Sequence, residues 1–248
     1  WQSSHLLIDH PIEQWAWCEE PYKILWAHRD DGIGLSLTRL KDQEVQGWAR
    51  HDTQGEIRSV CSVTELPVDA PYWVAQRLIG DGSGTTRFFI ERMDNRIWPG
   101  IEDAWCVDCA LALTPTTPNA SLGASAATGS GVTFFASASV FSAGSVGQVI
   151  RMGGGIAIVT GFTSGFVITG AWYYPCQEIV PNDPLNLPAQ KIAGEWSIGA
   201  MTTTITGLAH LAGKIVTGLA DGFVITPRIV SATGTITLDF PASKVVVG

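Results

Sequence analysis

The sequence is poor in charge and has no long apolar runs. Asp, Glu, Lys and Arg make up 15% of its 248 residues, against about a quarter in ordinary globular domains. The net charge is −8, and there is no basic stripe of the kind that binds nucleic acid phosphates. No apolar run reaches the roughly 18 residues of a membrane-spanning helix. We therefore expect no stable nucleic-acid complex and no membrane-spanning segment.

The cysteines lack the pattern of a disulfide framework. There are five of them at irregular spacing, whereas secreted frameworks have an even number. Cys106 and Cys109 have the CxxC spacing of zinc and redox sites, but a structural zinc site needs about four ligands and there is no second pair. We expect free thiols, with no metal and no cofactor.

Motifs of catalysis are also missing. The sequence contains no phosphate-binding loop, no Gly-x-Ser-x-Gly and no HExxH. Imidazole and carboxylate groups are adjacent at 28–31 and 51–52, but such residues are common in hairpin turns. Without the spacing of a calcium-binding loop, the acidic residues of this region are also interpreted as exposed turn residues: Asp30, Asp31, Glu44 and Asp52. We expect no enzymatic activity.

Strand patterns dominate the rest of the chain. Apolar and polar residues alternate over residues 22–92 between short Asp/Gly turns, which predicts an antiparallel meander. Trp26, Trp48 and Trp73 recur once per hairpin, as aromatic residues do in propeller blades. Trp48 has small or apolar neighbours and is expected to be buried. Before the meander, Glu13–Trp17 is interpreted as a short helix.

Proline-rich segments divide the predicted fold, which is mainly β. The meander, like a propeller blade, is followed by two small modules that resemble sandwiches or barrels. The predicted parts are a connector (1–21), the meander (22–113), a low-charge β module (114–180), a linker (181–193) and a C-terminal β module (194–248). The stretches 114–119 and 181–188 are expected to be hinges between separately packed units. Because the chain begins without Met and ends in a strand pattern, we interpret it as a fragment, with a truncated last module.

The charge is unevenly distributed. Between Cys109 and Cys176 the only charged residue is Arg151. Interfaces are depleted of Lys, Glu and Asp at their centres, so we expect residues 109–177 to contact other subunits. A sandwich core with Ser and Thr on its outer faces is the alternative. The candidate interface residues are Arg151, Phe134, Phe135, Val140 and Phe141.

Arg151 needs a partner in either case. An unpaired buried guanidinium would cost several kcal/mol. We therefore expect Arg151 to pair with a carboxylate or with backbone carbonyls, either in the same chain or in a neighbouring subunit.

A set of short sequences, distributed over nearly the whole chain, resembles a tail protein of short-tailed double-stranded-DNA phages, of the nozzle, hub or DNA-stabilisation type. The combination is more specific than any one of them. The matching segments are Leu25–Gly32 (LWAHRDDG), Leu37–Thr38, Glu44–Gly55, Ser59–Cys61, Tyr72–Arg77, Phe89–Met93, Trp105–Cys109 (WCVDC), Val149–Gly155 (VIRMGGG), Gly207–Val216 and Leu219–Gly222.

The resemblance implies a structural role in the virion tail, assembled in the host bacterial cytoplasm. It implies a ring of copies that contacts other tail or portal-adaptor proteins. Genomic DNA would pass transiently through the lumen of this ring, or the ring would anchor fibres. The resemblance implies no catalytic residues. A receptor- or carbohydrate-binding module of a phage tail, in which the Trp residues would stack on ligand, is the alternative. A hydrolase would need paired carboxylates about 5–10 Å apart.

Overall fold

Antiparallel strands form most of the regular structure, so the prediction of a mainly β fold is confirmed. The computed structural model describes residues 4–80, 84–94, 97–98, 100–177 and 189–248. Within these ranges the one α-helix is a single turn, α1 (Ser4–Leu7). No helix in this described part has the length and apolar character needed to cross a bilayer.

The chain divides into two units. The first comprises Trp1–Trp98, Leu208–Lys214 and Ile229–Gly234, and the second comprises the remaining segments, Pro99–Gly207, Ile215–Arg228 and Thr235–Gly248. The predicted boundaries at 113/114 and 193/194 therefore do not coincide with the compact units. Both fall inside the second unit.

Seven strands build the first unit. They are β1 (Ile12–Cys18), β2 (Ile24–Arg29), β3 (Gly34–Leu40), β4 (Val45–His51), β5 (Glu56–Glu65), β6 (Val68–Leu78) and β7 (Thr86–Arg92). They form two antiparallel sheets, in the orders β1-β2-β3-β4 and β5-β6-β7. The predicted meander is thus split between two sheets, and one 3-10 turn, Lys41–Gln43, interrupts its strands at the β3–β4 connection.

Glu13–Trp17 lies in a strand, so the predicted helix is wrong. Within β1, Ala16 and Cys18 contact the core, while Trp15 and Trp17 point to the opposite face. This alternation has a period of two, which belongs to a strand and not to a helix. Pairing with β2 then places each Trp opposite an aliphatic residue of the neighbouring strand.

The core of the first unit lies between its two sheets. Trp26 of β2 and Trp73 of β6 meet in a T-shaped contact with ring centroids 5.6 Å apart, a geometry that aromatic rings favour. Around them the buried cluster draws residues from both sheets. Its other members are Cys18, Ile24, Ile57 and Val60.

Trp48 does not belong to this core. Its side chain is half-buried on the outer face of β4, an edge strand of the first sheet. The expectation that Trp48 is mostly buried is therefore wrong. Alternation predicts that one face of β4 is apolar. As an edge strand, however, β4 has a neighbouring strand on one side only, so fewer side chains pack around Trp48.

Thirteen strands are described for the second unit. They are β8 (Leu111–Leu113), β9 (Leu122–Ala124), β10 (Val132–Ala136), β11 (Val149–Met152), β12 (Gly155–Ser164), β13 (Val167–Tyr174), β14 (Ala189–Lys191), β15 (Trp196–Gly199), β16 (Thr202–Ile205), β17 (Ile215–Ala220), β18 (Phe223–Ile229, which ends in the first unit), β19 (Ile236–Ala242) and β20 (Val245–Val247). The sheet orders are β14-β9-β10-β13-β12-β11-β15, β18-β17-β20-β8 and β16-β19.

One strand from within the predicted linker, β14, and one from beyond it, β15, complete the seven-stranded sheet. β14 pairs with β9, and β15 pairs with β11. Thr116, in the first predicted hinge, exchanges two backbone hydrogen bonds with Ile198 at 2.9 and 2.8 Å. The segment 114–119 is therefore not a hinge between separately packed units, and 194–248 is not a separate module. The other predicted hinge, 181–188, lies outside the described residues.

Trp26→Ala is expected to destabilise the protein by about 3–5 kcal/mol, because it leaves a cavity between the two sheets. Trp15→Ala is the matched control, since the Trp15 side chain is 62% exposed and its loss should cost about 0.5 kcal/mol or less. Equilibrium urea unfolding followed by far-UV circular dichroism measures both. Equal losses would contradict the assignment of the core.

Asp31 should make the stability of the first unit depend on pH. Hydrogen bonds from the Arg29 guanidinium, with Nε 3.0 Å from Oδ1, are the main cause that lowers the pKa of the Asp31 carboxyl. A lowered folded-state pKa stabilises the fold above the unfolded pKa, about 3.9, and this stabilisation is lost as the pH falls through the folded value.

Asp31→Asn should therefore lower the free energy of unfolding at about pH 6, and the difference from the wild type should shrink as the pH falls from there through the lowered pKa of Asp31. Urea unfolding across this range is the measurement. Asp52→Asn is the control, because Asp52 is 63% exposed in its pair with Arg50. A difference that persists unchanged at low pH would contradict the role of the Asp31 charge.

Candidate assembly surface

The seven-stranded sheet separates a core face from an outer face. On β10, Val132, Phe134 and Ala136 are buried in the core of the second unit. Phe135, between them, is exposed, because successive side chains of a strand point to opposite faces. The apolar residues of this segment are therefore divided between core and surface.

Three exposed phenylalanines lie at one end of this sheet, and we call Phe135, Phe162 and Phe166 the phenylalanine end. Phe135 is opposite Val167, the residue after Phe166. The Phe166 carbonyl accepts a hydrogen bond from the Ala136 amide at 2.8 Å. Phe162 lies on the paired strand β12, near the turn into β13. All three residues thus lie near the hairpin end that β10 joins, but by register Phe162 shares the face of the core residue Ile168, whereas Phe135 shares that of Val167.

The predicted interface residues separate in the structure. Phe134 and Phe141 are buried, and Phe141 packs against Trp196 with ring centroids 6.1 Å apart. Their assignment as interface contacts is wrong, because both rings are used inside the chain. Val140 is half-buried against the same core. Of the four apolar candidates, Phe135 alone has a largely exposed ring.

Arg151 lies on β11, and its side chain is 11% exposed. Its neighbours Ile150 and Met152 point into the core, so the guanidinium points to the opposite side of the sheet. There its Nη2 lies 2.5 Å from Oδ1 of Asp221 and donates to Ser243 Oγ at 3.1 Å. The expected pairing with a carboxylate is confirmed, and the partner belongs to the same chain.

A turn fixes Asp221 in this position. Asp221 and Gly222 connect β17 to β18 with positive φ angles of 50° and 86°, which is the backbone of a tight hairpin turn and matches the predicted Asp-Gly signal. The Asp221 carboxylate also accepts hydrogen bonds from the amides of Lys244 at 2.7 Å and Ser243 at 3.2 Å. The anion that neutralises Arg151 is therefore held by its own turn and by the segment 243–244.

Three further charged side chains complete the cluster. Lys244 Nζ pairs with Asp103, and Arg151 Nη1 lies 3.9 Å from Glu102 Oε1. All four of these side chains are at most 30% exposed. The cluster therefore pairs the Arg151 guanidinium, the one charge of residues 109–177, with carboxylates and leaves little of it exposed to solvent.

The uncharged surface, which we define as the exposed side chains of residues 109–177, is consequently rich in apolar groups. Scattered exposed apolar residues are ordinary, but this surface lacks the charges that normally accompany them. Its large exposed residues are Leu113, Phe135, Val146, Phe162, Phe166, Tyr173 and Tyr174. Such a surface is typical of a contact between subunits.

A Ser–His pair that the sequence did not suggest lies in the first unit. Ser36 Oγ and His51 Nε2 are 2.8 Å apart across β3 and β4. The His51 ring packs on Trp26, Ser36 is buried, and the adjacent Asp52 pairs with Arg50. We interpret this pair as a structural contact, because a nucleophile must be reachable by its substrate. Only the strand register, which the sequence does not reveal, brings the two together.

The acidic turn residues do not gather around one point. His10 Nδ1 lies 2.8 Å from Asp30, and Asp31 is close to both. Arg29 donates to both oxygens of Asp31, and a guanidinium in that position repels a cation. Of the four acidic residues interpreted above as turn residues, Glu44 and Asp52 belong to no potential ion-binding group in the described part of the chain.

The five cysteines are not joined by disulfides. Cys106 is exposed and Cys109 is half-buried.

Comparison of the chain with models of protein families and with curated proteins finds no match. The proposed function therefore rests on the chemistry of the surface.

Removing either partner of the Arg151–Asp221 pair should be strongly destabilising. Arg151→Met and Asp221→Asn each leave a mostly buried charge without its main counter-ion, and we expect each to cost about 2–3 kcal/mol, below the cost of breaking a fully buried pair. Because the two changes remove the same contact, the double variant should lose less than the sum of the two. Urea unfolding of the four proteins of this cycle gives the coupling energy.

Arg50→Met and Asp52→Asn provide the control cycle. This pair is exposed, at 53% and 63%, and should couple by less than about 1 kcal/mol. Equal coupling energies in the two cycles would contradict the view that Arg151 is a buried cation that needs its partner.

Proposed function

We propose that this chain is a structural subunit of a short phage tail and that it assembles into a ring through the uncharged surface. The observation that carries the proposal is the position of Arg151. The single charge of residues 109–177 is only 11% exposed and is paired inside the chain, so a neighbouring copy that covers this surface leaves no unpaired charge. Apolar area removed from water there would contribute about 25 cal/mol per Å².

A ring also agrees with the other properties of the chain. Rings form when two different patches on each copy meet in a head-to-tail contact that closes. With a net charge of −8, the copies would not hold DNA tightly in a lumen, because DNA affinity comes mainly from basic side chains. Contacts with other tail or portal-adaptor proteins, the location in the virion tail and the transient passage of DNA are parts of the same proposal.

The second candidate function is a receptor- or carbohydrate-binding module, and one observation favours it. Trp17, Leu25, Leu37 and Trp48 form a row across the first sheet by strand register. Trp15 is exposed on the same face. Exposed indole rings combine an apolar face with a hydrogen-bond donor, which suits a ligand that is partly polar.

Assembly through the uncharged surface predicts the effect of placing a charge there. The wild-type chain should form closed rings by negative-stain electron microscopy and a large species by sedimentation velocity. Phe135→Lys/Phe166→Lys should weaken association by about tenfold or more, because the contact would then bury unpaired charges.

Ile8→Lys is the matched control, since Ile8 is 74% exposed and lies outside residues 109–177. It should leave the assembly unchanged. A wild-type chain that stays monomeric at every concentration would contradict the proposed function. Binding of host polysaccharide by that monomer, lost in Trp15→Ala/Trp17→Ala, would support the second candidate instead.

A further inference from the structure

A small cavity in the first unit has no part in the assembly proposed above. It lies beside the connection from β1 to β2, which contributes Glu20, Pro21 and Tyr22 to its wall. Its volume is about 40 Å³, which is room for about three groups the size of a water molecule. Pockets for drug-sized ligands and cofactors measure about 300–1,000 Å³. The cavity therefore fits the narrow end of a molecule, such as a short unbranched chain.

The wall of the cavity combines aromatic rings with sulfur-containing side chains. Trp26 and Cys18 are 3% and 4% exposed and line its inner part, and Met93 packs against the same core. Tyr22, at 45% exposed, lines the part nearer to solvent. Methylene groups are stabilised when they leave water for such a wall, and the faces of Trp and Tyr rings attract cations. The wall thus favours an occupant with an apolar stem and a positive charge.

Acidic side chains predominate among the charged residues of the wall. Glu20, Asp69 and Asp94 each contribute a carboxylate, and Arg92 contributes the one cation among the described residues of the wall. Arg92 is already paired, because its Nη2 and Nε lie 2.6 and 2.9 Å from Oε2 of Glu65. The wall is therefore negative overall and attracts cations.

Asp69 presents a charge of fixed position. Thr64 Oγ1 donates to its Oδ1 at 2.7 Å, and the amides of Glu20 and Glu19 donate to its Oδ2 at 3.1 and 2.7 Å. These bonds lower the pKa of the Asp69 carboxyl, so it is ionised at neutral pH. They use three of the about four acceptor positions of a carboxylate, which leaves one for an occupant. The Glu20 side chain has no hydrogen-bond or ion-pair partner in the described part of the chain.

Other classes of occupant fit these observations less well. Glu20, Asp69 and Asp94 belong to no potential ion-binding group among the described residues, whereas a hard divalent cation needs about six or more oxygens around one point. The carboxylates would repel an anion, and a neutral apolar group would gain nothing from them. A primary alkylammonium suits both parts of the wall, because its ammonium would donate to Asp69 while its methylene groups pack against the aromatic rings.

We propose that this cavity binds a primary alkylammonium group, either the end of a free amine or the side chain of a lysine in another protein. The described residues of the wall lie in the first unit, and none of them belongs to the uncharged surface. The site is therefore independent of the assembly function, and either proposal can fail without the other.

The methionine methyl groups provide a direct measurement of binding. The chain has three methionines, with Met93 in the wall and Met152 and Met201 in the second unit. In the NMR spectrum of a protein with isotopically labelled methionine methyl groups, n-butylammonium chloride at constant ionic strength should shift the Met93 signal until it saturates. The other two signals should stay in place. Met93→Leu assigns the signal, and butanol, the neutral analogue, should not shift it.

Three results would overturn the proposal. The Met93 signal could stay in place at every concentration of butylammonium, which would mean that the cavity is closed to this cation. It could shift equally with butanol, which would mean that charge plays no part. It could also shift equally with magnesium chloride at the same ionic strength, which would mean that the site does not recognise the organic cation.

Two single substitutions test the two parts of the wall. Glu20→Gln removes a charge and should weaken butylammonium binding by about three- to fivefold. Tyr22→Leu keeps an apolar side chain but removes the ring, and we expect a loss of about three- to fivefold because the cation–π contact is lost. Circular dichroism verifies that each variant is folded.

Glu44→Gln is the matched control, since it removes an exposed carboxylate that is not part of the wall. It should bind butylammonium like the wild type. Wild-type affinity in both Glu20→Gln and Tyr22→Leu, or an equal loss in Glu44→Gln, would contradict the assignment of the site.

Two larger amines identify the source of the bound group. Spermidine represents a free polyamine, and Nα-acetyl-lysine N-methylamide represents a lysine within a protein. Tighter binding of spermidine than of butylammonium would indicate a free amine, and tighter binding of the lysine derivative would indicate a partner protein. Both results support the site, and failure of all three amines to shift the Met93 signal would exclude it.

Discussion

The ion pair between Arg151 and Asp221 is the interaction on which the second unit depends. A guanidinium inside an otherwise uncharged segment is tolerated only if an anion of fixed position compensates it. The turn between β17 and β18 supplies that anion, and the amides of Ser243 and Lys244 orient it. One contact thus connects the seven-stranded sheet to the strands that follow it in the sequence. The same contact leaves the surface of residues 109–177 free of exposed charge.

The first unit is organised differently, around aromatic packing between its two sheets. Trp26 and Trp73 face each other in the interior, while Trp15 and Trp17 lie outside. The apolar residues of both units therefore exceed what their cores use. The exposed remainder is distributed over strands of both units and over the segments between them. The part of it that lies in the low-charge segment 109–177 is the basis for proposing contacts between copies.

Much of the local structure was predictable from the sequence, and the reasons are physical. Period-two alternation identified the strands of both units, and glycine-containing pairs such as Gly153-Gly154 and Asp221-Gly222 marked turns whose backbone needs positive φ. The need of Arg151 for an anion also followed from its setting in an uncharged segment. These inferences depend on neighbours in sequence or on the chemistry of one side chain.

Properties that depend on distant segments were not predictable. Alternation shows that Phe134 and Phe135 point to opposite faces, but not which face meets the core. The strand at Glu13–Trp17 exists because β2 pairs with it, and the predicted helix ignored that partner. Residues 189–199 join a sheet begun at β9, although a proline-rich segment precedes them. The sequence could not identify Asp221 as the anion at Arg151, because Asp221 also belongs to a distant segment.

The separation in sequence of the charged partners has a consequence for folding. Arg151 and Ser243 are 92 residues apart, and Lys244 is 141 residues from Asp103. Contacts between such distant residues form slowly, since the intervening chain must first lose much of its conformational freedom. Until they form, Arg151 remains hydrated, and the outer face of β11 remains accessible to water. A folding chain therefore acquires its uncharged surface late, which postpones contact between copies until each copy is nearly complete.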